Sequence, residues 1–183
     1  SSSYVWNTSN VSTSEFTIGD THQGGIIFYL DGNGSGLIAA PSDQSTGAEW
    51  GCDGITILGA DSIDIGTGFQ NTIDIEAGCT TPGTAADICT NLTLSGYNDW
   101  FLPSIMELNE MNLFKDEIGG FVNQAVYWSS TEVEYDDYYD ENGNLYAAAA
   151  YHYWFDCQGC FADQNKNQLG RVRAIRSFSY QIT

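Results

Sequence analysis

A chain of 183 residues is long enough for one domain with a single sizeable core. Its net charge of −19, with five basic residues against 24 acids, makes nucleic-acid phosphates and anionic membrane surfaces poor partners. Low lysine, 11 tyrosines, nine phenylalanines and five tryptophans amid Gly, Ser, Thr, Asn and Asp argue against a helix-rich cytosolic enzyme and for a β-rich domain of extracellular type.

Residues 1–18, SSSYVWNTSNVSTSEFTI, have no clear period and read as a linker or added edge strand ahead of a domain at 19–183. The start at Ser1 without Met fits a mature or excised piece of a secreted or cell-surface protein, and no apolar run suits membrane insertion. Ile26–Leu30 and Leu37–Ala40 flank DGNGSG, which predicts a hairpin. That turn also matches the start of a calcium loop, but Ser42 stands where the twelfth-position Glu belongs, so the turn is preferred. Residues 46–81 read as short strands and loops, and Pro82 and Thr84 precede a short helical pattern at Ala85–Leu92.

The clearest local signal is WFLPSIMELNEMNLFKDEIGGF. Ser104 and Glu107 form a capping box, in which hydroxyl and carboxylate each satisfy an early backbone N–H, and Gly119-Gly120 ends the element. AVYWSST (125–131) and RVRAIRSF (171–178) alternate as strands, with Arg171, Arg173 and Arg176 expected to pair internally with acids. Among five cysteines, Cys79 with Cys89 would close a short loop and Cys157 with Cys160 would pinch a turn, leaving Cys52 free; bridges 52–79 and 52–89 are equally open. Cys157-Gln-Gly-Cys160 has redox spacing without the βαβ context or a second ligand pair, so a local disulfide is the better reading.

Three ordered blocks carry a resemblance: Trp100-x-Leu-Pro-Ser-x-x-Glu-Leu108, Tyr127-Trp-Ser-Ser-Thr-Glu132, and Asn165-Lys followed by Val-Arg-Ala-Ile-Arg176. Together they resemble the domain at the C-terminus of Legionella collagen-like proteins and in the Fibrobacter major paralogous proteins. The resemblance implies an α+β, C-type-lectin-like fold: two short helices packed on a twisted, mostly antiparallel sheet. Members are surface or secreted binding domains, and some are variable target proteins of diversity-generating retroelements. In those, rewritten AAY codons become NNY, which encode Tyr, Asp, Ala, His, Phe, Cys, Gly, Ser or Asn but not Trp, Gln, Lys or Glu. The segment YAAAAYHYWFDCQGCFADQNKN is dominated by residues of that set, whereas Trp154, Gln158, Gln164 and Lys166 stand outside it and would be fixed.

As a strand, AYHYWFD alternates Tyr151, Tyr153 and Phe155 with His152, Trp154 and Asp156. The family pattern assigns Phe155 to the core, which exposes His152, Trp154 and Asp156 beside the 157–163 loop with Gln158, Phe161 and Asp163. Rigid aromatics of this kind make good binding anchors, against the alternative that both faces are covered. EVEYDDYYDENG (132–143) is first a solvated acidic loop; beside the aromatic strand, Tyr135, Asp137 and Tyr139 would complete a binding surface, and its clustered oxygens could hold Ca²⁺. His22 and His152 are the only histidines and fit no catalytic triad. The expectation is a non-enzymatic ligand-binding receptor or adhesin domain for a protein or glycan on another cell or particle. The alternative is a fixed-specificity calcium-dependent glycan-binding adhesin.

Overall fold

The computed structural model describes residues 16–133, 149–155 and 160–179. They form an α+β arrangement of two sheets and short helices. The first sheet is fully antiparallel, in the order β1 (Thr21–His22), β2 (Gly25–Leu30), β3 (Ser35–Ala39) and β9 (Ile175–Ser179). The second runs β4 (Ser45–Glu49), β8 (Leu169–Val172), β5 (Val126–Val133), β6 (Ala149–Trp154) and β7 (Phe161–Asn165), antiparallel except for the β5–β8 pair. The helices are α1 (Gly68–Gly78), α2 (Ala85–Thr90), α3 (Ile105–Leu113) and α4 (Lys115–Ile118). Two helices on one sheet was therefore too simple a reading.

Several elements follow directly from local chemistry. In the β2–β3 turn, Asp31 Oδ1 accepts from Asn33 N and Ser35 N at 2.8 Å each, while Gly32 and Gly34 take positive φ. These bonds close the hairpin, as DGNGSG predicts. Ser104 caps α3 and Glu107 bonds back to Ser104 N at 2.7 Å, completing the box. Glu107 also accepts from Gly66 N at 2.8 Å, yet burial outweighs these bonds and pushes its carboxyl up to about 7. The predicted single helix breaks at Phe114 into α3 and α4, and Gly119 (φ 73°) ends it.

α1 corrects the reading of 46–81 as strands and loops. Its buried stripe, Gly68, Asn71, Thr72 and Ile75, has helical spacing, but three of its four members are not apolar. Asn71 Nδ2 donates to Ser62 O at 2.7 Å, and Thr72 Oγ1 accepts from Leu102 N at 3.1 Å, so this face is anchored by hydrogen bonds. Gly68 is required where α1 crosses the α3 cap, since a Cβ there would collide with the Glu107 carboxylate and Ser104 N.

The strand expected at 171–178 is split: β8 lies in one sheet and β9 in the other. Arg173 stands at the switch with its side chain turned inward. It donates to Asp43, Ala40 O and the Gly119 and Gly120 carbonyls at 2.8–3.2 Å, and its guanidinium lies over Phe121. Arg171 pairs with Asp43, and Arg176 grips Asp99 through two bonds of 2.6 and 2.7 Å. Burial raises the cost of such pairs but their geometry satisfies both partners. The arginines pair with acids of the same chain, as their setting suggests, with Arg173 and Arg176 buried and Arg171 partly exposed. Phe16 and Ile18 pack against the core, so folded contacts begin ahead of the expected boundary at 19.

Of the open cysteine pairings, Cys52–Cys79 forms and joins the loop after β4 to the end of α1. Cys89 is free, and complete burial pushes its thiol up, leaving it inert. Cys157 lies outside the described residues.

The β5–β8 region is locked by a buried ion pair between Lys166 Nζ and Glu132 Oε1, both side chains almost wholly excluded from solvent. Lys166 Nζ also donates to Ile55 O and lies 4.4 Å from the Trp50 ring, while Glu132 Oε2 accepts from Ile57 N at 2.6 Å. Replacing Lys166 with Met should cost about 3–5 kcal/mol in urea unfolding, because Glu132 is left buried without its partner. Lys166→Met combined with Glu132→Gln should recover much of that loss. A single-variant loss below about 1 kcal/mol would mean that the pair carries no such weight.

Candidate ligand-binding face

The aromatic segment forms β6, an interior strand, and β7, which among the described residues pairs only with β6. The register sets Tyr153 opposite Phe161, His152 opposite Ala162, and Tyr151 opposite Asp163. Directly opposed residues share a face. Tyr151, Tyr153, Phe161 and Asp163 therefore lie on one side of this edge, and His152, Trp154 and Ala162 on the other.

The first side is anchored by core contacts. Tyr153 is buried, and its hydroxyl donates to Asn109 Oδ1 and accepts from Asn112 Nδ2, both at 3.2 Å, which fixes β6 against α3. Phe155 is buried as expected, stacked on Phe121 at 4.2 Å and close to Tyr127. Beyond this anchor Phe161 is 54 % exposed, touching half-buried Tyr151 edge-on at 5.9 Å, and Asp163 is exposed beside it.

The second side corrects one expectation. Trp154 is exposed at 47 %, but His152 is buried at 5 %, with its ring edge-on to Trp128. Alternation decides which face a side chain takes, not whether that face is covered. In mid-strand β6 the face is closed by Trp128 and its neighbours; at the strand end it opens, and Trp154 emerges. Burial lowers the His152 pKa, with Asp163 opposing the shift, so the ring is held neutral. Gln164, expected only to be a fixed residue, was not read as facing inward. It faces the same side as His152, and nothing in FADQN marks its inward position with an apolar residue. Neither His152 Nδ1 nor Gln164 Nε2 meets a hydrogen-bond partner among the described residues.

Trp154 and Phe161 thus lie near one end of the β6–β7 pair and flank it from opposite sides. Tyr135, Asp137, Tyr139, Asp156 and Gln158 lie outside the described residues. The 134–148 connection attaches at Val133 and Ala149, which pair at the end of β5–β6 away from Trp154. Five residues of strand separate Ala149 from Trp154, roughly 17 Å.

The Tyr127–Glu132 stretch is scaffold, tied to neighbouring segments by its own hydrogen bonds. Trp128 Nε1 donates to Ala48 O at 2.9 Å, Trp50 Nε1 to Ser129 O at 2.8 Å, and Ser130 N to Pro103 O at 2.7 Å. Thr131 Oγ1 donates to Ser62 O and accepts from Ile105 N. A bulge across 128–132 lets these consecutive residues turn inward and bind three separate segments. Among the described residues no group of three or more His, Cys, Asp or Glu side chains could hold a metal ion, and no helix is long and apolar enough to cross a membrane. Asp31 spends one carboxylate oxygen on its own turn. No family model and no curated protein sequence matches the chain.

His152 has a pH signature. Its folded pKa lies below the ordinary value of 6.5, so its contribution to stability is present above that pH and is lost as pH falls through the folded pKa. Glu107, raised to about 7, acts oppositely by losing stability as pH rises. The difference between wild type and His152→Gln isolates the histidine. Wild type should lose stability relative to the variant by up to about 1.4 kcal/mol per pH unit below pH ~6.5. Parallel stability curves between pH 5 and 7.5 would contradict a neutral buried ring.

Proposed function

We propose that this chain is a non-enzymatic ligand-binding domain of C-type-lectin-like type, from a secreted or cell-surface receptor or adhesin, with its ligand face on the β6–β7 edge. The observation that carries the reading is the pairing of a closely packed, hydrogen-bonded support with exposed aromatic area. Trp154 and Phe161 present large apolar surfaces to solvent from strands held down by Tyr153, Phe155 and Trp128. Aromatic anchors on a preorganised support lose little rotamer freedom on binding, which is where affinity is concentrated.

The ligand is a protein or glycan on another cell or particle. Tyr135, Asp137, Tyr139, Asp156 and Gln158 extend the face in this reading, together with Asp163; His152 sits behind it as support. The resemblance to retroelement target proteins adds that the face is diversified. Burial then limits where change is tolerated. Phe161 and Ala162 are exposed and tolerant of change, and Asp163 is exposed, whereas Tyr153 and Phe155 fill the core and His152 is enclosed.

The test is a binding screen on a printed glycan array and a phage-displayed peptide library, comparing wild type, Trp154→Ala and Phe161→Ala. At least one binder should lose tenfold or more in affinity with either substitution and be unaffected by EDTA. Binders indifferent to both substitutions would remove the β6–β7 edge as the ligand face. Loss of glycan binding in EDTA would transfer the assignment to the calcium-dependent adhesin.

A further inference from the structure

A second apolar surface lies on α1 and the loop before it. Phe69, Ile73 and Ala77 recur every four residues and so line one stripe of the helix, opposite the buried Asn71, Thr72 and Ile75. All three are exposed, Phe69 at 50 %, although one edge of its ring rests on Phe101. At the C-terminal end of the stripe Leu58 is 86 % exposed, beside a shallow cleft of about 300 Å³ lined by Thr56, Ile57, Leu58, Asp74, Ala77 and Gly78. The loop that offers Leu58 is held on either side of it by Glu132, whose carboxylate accepts from Ile57 N and whose backbone N donates to Ala60 O at 2.6 Å. A strip of apolar side chains held out on a fixed support marks an interaction site more than an accident of surface composition.

Charge decides what fits. The chain has no Lys or Arg before Lys115, while Asp53, Asp61, Asp64, Asp74 and Glu76 lie on the same two elements as the strip. A second copy would bring the same apolar strip and the same carboxylates, and two molecules of net charge −19 repel. An anionic membrane is disfavoured for the same reason. A segment with apolar side chains at helical spacing, bordered by Lys or Arg, satisfies both features. From Phe69 to Ala77 the stripe runs about 12 Å, enough for roughly two turns of a docked helix.

We infer that the Leu58–α1 strip docks a cationic amphipathic helix of another protein. This site is carried by different elements from the β6–β7 edge and does not depend on the ligand proposed for that edge.

The probe is a helix-forming peptide of Leu and Lys with its leucines on one face, titrated calorimetrically into the full chain at 0.15 M salt. A scrambled peptide of identical composition controls for bulk charge attraction. Leu58→Ser with Ile73→Ser removes two exposed anchors that belong to neither core cluster, and circular dichroism checks that the fold is retained. The amphipathic peptide should bind at least tenfold more tightly than the scrambled one, and the double variant should lose at least tenfold in affinity for it. Equal binding of the two peptides, or an unchanged double variant, would overturn the proposal. So would a wild-type dimer in sedimentation that the double variant abolishes, or binding to neutral phosphatidylcholine vesicles that depends on Leu58 and Ile73. Those results would give the strip to a second copy or to lipid.

Discussion

The buried Lys166–Glu132 pair is the constraint on which the rest of the described structure depends. Lys166 follows directly on β7, and Glu132 stands near the end of β5, so the pair ties the edge of the second sheet to its interior. Through Ile55 O and Ile57 N it also fixes the loop that presents Leu58. Trp50 covers the ammonium, and Trp50 N and Gly51 N both donate to Lys166 O, so side chain and backbone hold the same junction. Two charges out of water are costly unless every lone pair and proton has a partner. Here desolvation lowers the lysine pKa while Glu132 raises it, and the available partners are backbone groups of one particular loop. The pair therefore specifies which segments meet as well as adding to stability.

The same logic extends through the molecule. Asp43 gathers Arg171, Arg173 and the Tyr127 hydroxyl, and Asp99 holds Arg176, whose guanidinium lies 4.0 Å from the Tyr97 ring. Lys166, Arg171, Arg173 and Arg176 are all engaged in this way by the interior or by close ion pairs. The surface is left strongly acidic, with apolar relief at the β6–β7 edge and along α1. Like-charge repulsion between copies disfavours pairing of these strips with one another.

What could be read from the sequence was local. Ser104 and Glu107 write the α3 cap within four residues, and Asp31-Gly-Asn-Gly-Ser writes the hairpin turn, so both were legible. α1 was not, because Asn71 and Thr72 bury amide and hydroxyl groups that only the Ser62 and Leu102 backbones satisfy. Those partners lie outside the helix, nine and 30 residues away along the chain, and leave no mark in the helix itself. The break between β8 and β9 was hidden for a similar reason: RVRAIR alternates as one strand, yet Arg173 is drawn inward by carbonyls from 40, 119 and 120. At the candidate face, alternation separated Trp154 from Tyr153 and Phe155 correctly, but it carried no information on depth and left His152 on the wrong side of the surface.

In the proposed function the β6–β7 edge is a recognition surface carried on a fixed scaffold. The most direct measurement is deep sequencing of the coding segment for residues 125–178 across cells of one population. Substitutions should fall on AAY-derived codons at exposed positions such as Phe161, Ala162 and Asp163, and spare Trp128, Tyr153, Phe155, Lys166 and the arginines. Uniform invariance would contradict diversification of the face, and substitutions spread equally over Trp128, Tyr153 and Lys166 would contradict the division into scaffold and surface.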